Sequence, residues 1–403
     1  MPMVRLTALF AVLLAFVVAP AAHAAGLAAT QKALAREMAR AGSYSGAYVV
    51  DMGTGEQIYA SKADVARMPA SVEKLYTSAT AMLLYGPEGT LTTSVLSTTL
   101  PDAAGVITGD VVLRGGGDPT FNATTAAALA KQLADGGLKR ITGRVIGDES
   151  AFDAFRGPPS SNFQTSSDVG PLSALAFNHG RTGKGRPYFQ SSPARFAAEA
   201  FQTALKRRGV KIAGKARRGL TPTGMTPLSE WNSPTIAAIA RQMNVPSDNY
   251  IAETLIKSLG SQFGGEGSTA AGGRVIRDTL AQFEVSPAVA DGSGLSRENR
   301  TSPRDVVRLL TGMAETEHAE AFDASLAVIG RTGTVASRMR GTAAQDQCHA
   351  KTGTLRDVSA LAGYCTTTSG QRVAFAFMMN RVWPASARTL QDRMTSVLAR
   401  YGR

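Results

Sequence analysis

Ser71-Val72-Glu73-Lys74, set between Met68-Pro69-Ala70 and the mostly apolar stretch that runs on to Leu84, decides how the rest of the chain is read. A serine hydroxyl is a poor nucleophile until a base takes its proton. Positions three apart share a helix face, so Lys74 can reach Ser71. A lysine whose pKa is lowered by burial and neighbouring cations can then act as that base. The string is weak by itself, because about one chance match is expected in a chain of this composition. It describes equally well a helix that starts at a serine cap and carries a surface lysine.

Two further strings follow in order. Ser247-Asp248-Asn249 comes after Pro246 and before the helical run Tyr250 to Leu259. The Ser247 hydroxyl can relay a proton from the base to a leaving amine, and the Asn249 amide can hydrogen-bond a substrate backbone. Ser and Asp also serve as helix caps, and both roles are compatible. Lys351-Thr352-Gly353-Thr354 lies on a predicted strand. Gly353 removes a side chain where another backbone must approach. Lys351 supplies positive charge, and Thr352 and Thr354 offer hydroxyls to a carboxylate. The backbone N–H groups of Ser71 and Thr354 are candidates for an oxyanion hole. Taken alone, this string is an edge strand with a surface lysine. The three together, with both serines at helix starts and the lysine on a strand, point to acyl transfer through Ser71.

The flanks of these strings suggest the architecture. Leu27 to Arg40 has helical periodicity, Gly46 to Asp51 and Gln57 to Ala60 read as a hairpin, and a helix runs from Ser71 to Leu84. Near the other end, strands at Ala350–Leu355, Val358–Thr366 and Arg372–Asn380 precede a helix from Ala387 to Tyr401. One sheet built from both chain ends is expected. Leu91 to about Thr223 has a different texture, rich in Gly, Thr and short β-like runs, and reads as an inserted β-rich domain. The expected division is 1–24 signal peptide, 25–90 first part of the catalytic domain, 91–227 inserted accessory domain, and 228–403 second part.

Arg5, the apolar run Leu6 to Val18 and the small-residue site Ala22-His23-Ala24 form the pattern of a secretory signal peptide. The run is short for a membrane span, which needs about 20 apolar residues. No Cys follows the cleavage site, and no later segment is long and apolar enough to cross a bilayer. A periplasmic or extracellular wall location is expected. The net charge of +12 favours polyanions in that space, wall polymers or lipid headgroups, over nucleic acid. The dense basic runs, Lys206-Arg207-Arg208 and Arg217-Arg218, each read as solvated faces.

Cys348 and Cys365 are the two cysteines of the 403 residues. If the chain turns at Arg356-Asp357, they face each other, although Arg-Asp is not a favoured hairpin turn. A disulfide and two buried free thiols both remain open. Neither Cys-x-x-Cys nor paired His spacing supports a metal site, and no cofactor is called for. A Ser-His-Asp hydrolase is disfavoured: after residue 24 only His179, His318 and His349 are available, and no G-x-S-x-G surrounds a serine.

The three strings are a known signature of class A β-lactamases and penicillin-binding proteins. The chain resembles the D-alanyl-D-alanine carboxypeptidase/endopeptidases, the low-molecular-weight class C penicillin-binding proteins. Leu113–Phe121, Gly147-Asp148, Leu172–Asn178 and Asp291-Gly-Ser-Gly-Leu-Ser-Arg297 extend the resemblance over nearly the whole chain. It implies a mixed α/β, serine penicillin-recognising transpeptidase-like fold with an inserted domain. Ser71 would be the acylated nucleophile, Lys74 its base and Ser247 the proton relay. Asn249 would bind the substrate amide, with Lys351, Thr352 and Thr354 holding the terminal carboxylate. The substrates would be peptidoglycan stem peptides, and β-lactams would be covalent inhibitors. Arg297 and Asp148 are candidates for the charged end of a diamino-acid stem peptide, or else a salt-bridged loop residue and a turn aspartate. Family members usually carry a longer insertion than this chain does after Asn178. The alternatives are a serine β-lactamase and a non-catalytic wall-binding protein. Against the first, the water-activating E-x-x-L-N string of class A enzymes is missing from the sequence.

Overall fold

The computed structural model describes residues 25–183 and 188–402; the expected signal segment, 1–24, lies outside them. Helix α1 (Leu27–Arg40) turns Leu34 and Met38 inward and leads into the hairpin of β1 (Ser45–Asp51) and β2 (Gln57–Ser61). Ser71 then lies in a 3₁₀ turn, Ala70–Glu73, which continues as α2 (Lys74–Tyr85). The inserted stretch builds β3 (Thr92–Ser97), β4 (Val106–Ile107), β5 (Val111–Arg114), α3 (Ala123–Asp135), β6 (Arg140–Ile141) and β7 (Val145–Asp148). It goes on through α4 (Pro193–Arg207), β8 (Lys211–Ile212), β9 (Arg217–Arg218) and β10 (Thr226–Asn232). Five helices follow: α5 (Ile236–Asn244), α6 (Asn249–Phe263), α7 (Thr269–Leu280), α8 (Pro303–Ala314) and α9 (Ala319–Ala324). The chain ends with β11 (Ala327–Val328), β12 (Cys348–Leu355), β13 (Val358–Thr366), β14 (Arg372–Asn380) and α10 (Pro384–Leu398).

The main sheet has the order β11-β12-β13-β14-β1-β2, antiparallel throughout, so the two ends of the chain meet where β1 pairs with β14. Side chains alternate across a strand, and this sheet is apolar on both faces. Ala360, Ala362, Tyr364, Ala374, Ala376 and Met378 pack toward the helical layer of α2, α5, α6 and α8. Leu361, Val373, Phe375, Phe377 and Met379 pack toward α1 and α10. This is the mixed α/β fold, with helices on both faces of the sheet.

The inserted stretch forms a five-stranded sheet, β10-β3-β5-β7-β9, and a three-stranded one, β4-β6-β8. Val95, Val111, Leu113 and Val145 bury one face of the larger sheet beneath α3 and α4, through Leu129 and Phe201. The expected boundary at 227 falls inside β10, which pairs with β3 as far as Asn232. Pro227 itself lies on β10, an edge strand, the place in a sheet where proline is tolerated.

Candidate active site

The turn that carries Ser71 is held in an unusual shape. Ala70 has a φ of 47°, a left-handed conformation uncommon for a residue other than glycine. Asn380, at the end of β14, fixes the approach: its Oδ1 accepts from Met68 N–H (2.9 Å), and its Nδ2 donates to the Met68 carbonyl (3.1 Å). Two glycines then close on the turn. A Cβ on Gly353 of β12 would overlap the Pro69 carbonyl, and one on Gly294 would overlap that of Ala70. These close approaches bring strand, loop and nucleophile together.

Lys74 is fully buried. Its Nζ donates to Ser71 Oγ (3.0 Å), Asn249 Oδ1 (2.8 Å) and the Ser293 carbonyl (2.7 Å). Burial lowers its pKa to about 8, although Glu253, Asp291, Asp248 and Glu73 pull it back toward the charged form. Three of these carboxylates are themselves buried. Glu73 is pushed well above the usual carboxylate range by burial and then by Asp291 and Glu253. Burial also raises Glu253 and Asp291.

Ser247 sits just ahead of α6, not on it, with a φ of 65°; Asp248 is the cap, its Oδ1 accepting from Ile251 N–H (2.9 Å). The sequence had offered both residues for that cap, and the division of labour frees the Ser247 hydroxyl. Lys351 Nζ donates to it (2.8 Å) and to the Thr352 carbonyl (2.8 Å). Lys351 is wholly buried, and that burial, with the charge of Lys74, holds its pKa well below the ordinary lysine value. The site therefore contains two Ser–Lys couples, Ser71 with Lys74 and Ser247 with Lys351. Thr352 Oγ1 shares a hydrogen bond with Thr334 Oγ1 (2.7 Å), and exposed Thr354 accepts from Arg388 (3.2 Å). β11 pairs only with His349 and Ala350, so among the described residues no strand covers the outer edge of β12 from Lys351 onward.

Arg297 reaches the rim: it ion-pairs with Asp357 in the β12–β13 turn and touches Met68 Sδ at 3.8 Å. Asp148 is elsewhere. It ends β7 in the inserted part, is fully buried, and accepts from Ser150 N–H (2.8 Å), Thr221 N–H (2.7 Å) and the Thr221 hydroxyl. Its oxygens are committed to the protein, so it is a structural aspartate and not a substrate contact. Cys348 and Cys365 face each other in the β12–β13 register and are joined by a disulfide. His349 bonds Asp323 (2.9 Å), away from the two couples. Sequence reasoning missed Glu253, Asp291 and the Ser293 carbonyl. The available signal was Glu253 four residues beyond Asn249 on one helix, hence on the same face.

The arrangement is an activated serine, a second hydroxyl in contact with a lysine, and an open strand edge, which together equip a site for acyl transfer. A family model described as D-Ala-D-Ala carboxypeptidase 3 (S13) matches residues 27–184 and 188–401. The chain belongs to this family. A carboxypeptidase DacB of Mycolicibacterium smegmatis is 31% identical over 88% of this chain and 80% of its own length. A D-alanyl-D-alanine carboxypeptidase of an Actinomadura strain is 29% identical over 92% of this chain and 84% of its own. That alignment runs over 454 residues, more than the 403 here, so the Actinomadura member carries additional segments. The fold is that of penicillin binding protein 4 from Haemophilus influenzae, with TM-score 0.77 over 91% of this chain and 98% of the other at 20% identity. A second structure of that protein holds a β-lactam. A penicillin G-acylated predatory endopeptidase of Bdellovibrio bacteriovorus superposes with TM-score 0.55 at 19% identity. Like these relatives, this S13 family member is a serine peptidase with an extra domain set into the penicillin-recognising fold.

Proposed function

We propose that this peptidase removes the terminal D-Ala from peptidoglycan stem peptides through an acyl-enzyme on Ser71. The observation that carries the reading is the contact of the buried Lys74 amine with Ser71 Oγ at 3.0 Å, beside a second Ser–Lys couple. In the first step Ser71 Oγ attacks the carbonyl carbon of the penultimate D-Ala, and neutral Lys74 takes the hydroxyl proton. The peptide lies along the uncovered edge of β12 as an added strand, with its carboxylate toward Lys351, Thr352 and Thr354. The oxyanion is met by the N–H groups of Ser71 and Thr354. The C–N bond breaks as Ser247 hands a proton to the leaving D-Ala amine. The proton taken from Ser71 thus leaves with D-Ala; water then attacks the ester, and its proton, taken by Lys74, restores the Ser71 hydroxyl as the acyl–oxygen bond breaks. Arg297 at the rim would meet a charged stem-peptide side chain. The disulfide suits an oxidising compartment, consistent with export by the 1–24 segment.

Incubation with a fluorescent penicillin, beside a Ser71→Ala variant, tests this directly. Durable label on the wild type alone, with D-Ala released from a pentapeptide, is the expected result. Fast loss of label with turnover of the drug would indicate a lactamase instead, and no label on either protein would indicate a wall-binding protein with an inactive site.

A further inference from the structure

The three acceptors around Lys74 Nζ define more than an ion-binding pocket. An ammonium has three N–H bonds, and Ser71 Oγ, Asn249 Oδ1 and the Ser293 carbonyl take all three. A neutral amine has two N–H bonds and one lone pair. The Asn249 and Ser293 oxygens are the shorter contacts, 2.8 and 2.7 Å against 3.0 Å for Ser71. They can accept only, so they keep the two N–H bonds, and the lone pair is left facing the Ser71 hydroxyl. The direction of the base is thus set by two acceptors that exchange no proton with it.

Both acceptors are governed from one turn of α6. Asn249 opens that helix, and Glu253, one turn later on the same face, accepts the Ser293 N–H through Oε1 at 2.9 Å. Glu253 thus fixes the Gly292–Ser293 peptide, and the next one, Ser293–Gly294, presents its carbonyl to Lys74 while its N–H is held by Asp291. Its loop is immobilised around it: Asp291 accepts from Gly294 N–H (2.8 Å), Ser296 N–H (2.6 Å) and Asn299 Nδ2 (2.7 Å), and Thr77 of α2 donates to the Gly292 carbonyl (2.9 Å). Glu253 itself is 0% exposed, and its Oε2 has no hydrogen-bond partner. A methionine of similar volume would fill the space without that unsatisfied oxygen, so packing alone does not account for a carboxylate here.

We propose that Glu253 is a positioning residue for the base, anchoring Ser293 through its N–H so that the Ser293 carbonyl keeps one Lys74 N–H and the lone pair of Lys74 points at Ser71. The proposal rests on the acyl-enzyme reading above. The charged groups facing Lys74 are Glu73 beside it, Asp248 and Glu253 from α6, Asp291 from the loop and Lys351 from β12. A charge effect must therefore be separated from a geometric one, and two variants do so. Glu253→Gln removes the charge and keeps an oxygen within reach of Ser293 N–H. Glu253→Asp keeps the charge and withdraws the oxygen by one methylene.

The measurement is the limiting rate of acylation by fluorescent penicillin, together with the concentration giving half that rate, for wild type, both variants and Ser71→Ala, each checked by thermal melting. Glu253→Gln is expected to stay within about threefold of wild type. Glu253→Asp is expected to lose about 100-fold in limiting rate with the half-saturating concentration unchanged, as misplaced catalytic groups do. Retention by Glu253→Asp with loss in Glu253→Gln would assign Glu253 to charge and overturn the proposal. Wild-type rates in both would overturn it as well. If either variant fails to fold, the other decides: a folded Glu253→Gln with large loss, or a folded Glu253→Asp without loss, refutes it. A wild type that takes no label would instead refute the acyl-enzyme reading.

Discussion

Lys74 must be an amine to accept the Ser71 proton, yet it is surrounded by carboxylates that favour the ammonium. Burial wins and brings its pKa down to about 8. The fraction present as amine therefore rises with pH through that value. The limiting rate of penicillin acylation should climb about tenfold per pH unit below the inflection and level off above it. A flat profile between about pH 6 and 9 would remove Lys74 from the role of base. The reacting residues were legible because their types and order are restrictive: one S-x-x-K, then Ser247 and Lys351 at fixed places on helix and strand. Their supports were not. Glu253, Asp291 and the Ser293 carbonyl converge only once α2, α6 and the 291–299 loop are packed, and a carbonyl oxygen leaves no mark in a sequence. Asp148 was left between a substrate contact and a turn aspartate, since a sequence does not say whether a strand-end carboxylate turns outward or is claimed by Ser150 and a distant Thr221.

The elements that carry the site are set by backbone approach. Gly353 lets β12 lie against the Ser71 turn, where a Cβ would overlap the Pro69 carbonyl and stand 3.1 Å from the N atoms of Ser71 and Val72. Gly353→Ala should push strand and turn apart and cut the acylation rate about 100-fold with little change in melting temperature, since the error lies at the reacting groups. The far end of the same hairpin is fastened by Cys348–Cys365, which closes a loop of sequence separation 17. Replacing both cysteines with serine should cost about 3 kcal/mol, chiefly by freeing the unfolded chain, and lower the thermal midpoint while penicillin still acylates the folded enzyme. The hairpin could be counted out only by assuming a turn at Arg356-Asp357, since both faces of Val358–Cys365 are buried and no alternation marks the register. The 3₁₀ turn at Ser71 could not, since it depends on Asn380 and two glycines remote in sequence.

For the molecule as a whole, charge is unevenly distributed. Residues 91–227 contain seventeen Lys and Arg against nine Asp and Glu, a large share of the +12 total. Arg140 of β6 is in register with Lys211 of β8, which follows closely on Lys206-Arg207-Arg208 at the end of α4. Among the described residues, no carboxylate lies within 4.0 Å of any of these five cations. Purified walls bearing anionic polymers should therefore retain the protein at about 0.02 M salt and release it by about 0.5 M, with the Lys206→Ser, Arg207→Ser, Arg208→Ser variant held less well. Retention that ignores salt would show that this charge has no part in it.

The pairing of β1 with β14 also governs when the enzyme can first work. Ser45–Asp51 can pair early with β2, but its other neighbour in the sheet is Arg372–Asn380, more than three hundred residues later. Such distant contacts form late and slowly. A chain emerging in order holds Ser71 and Lys74 from early on, but the Asn380 clamp and β12 arrive almost last. The serine is thus expected to stay unreactive until the late strands have joined the sheet around it.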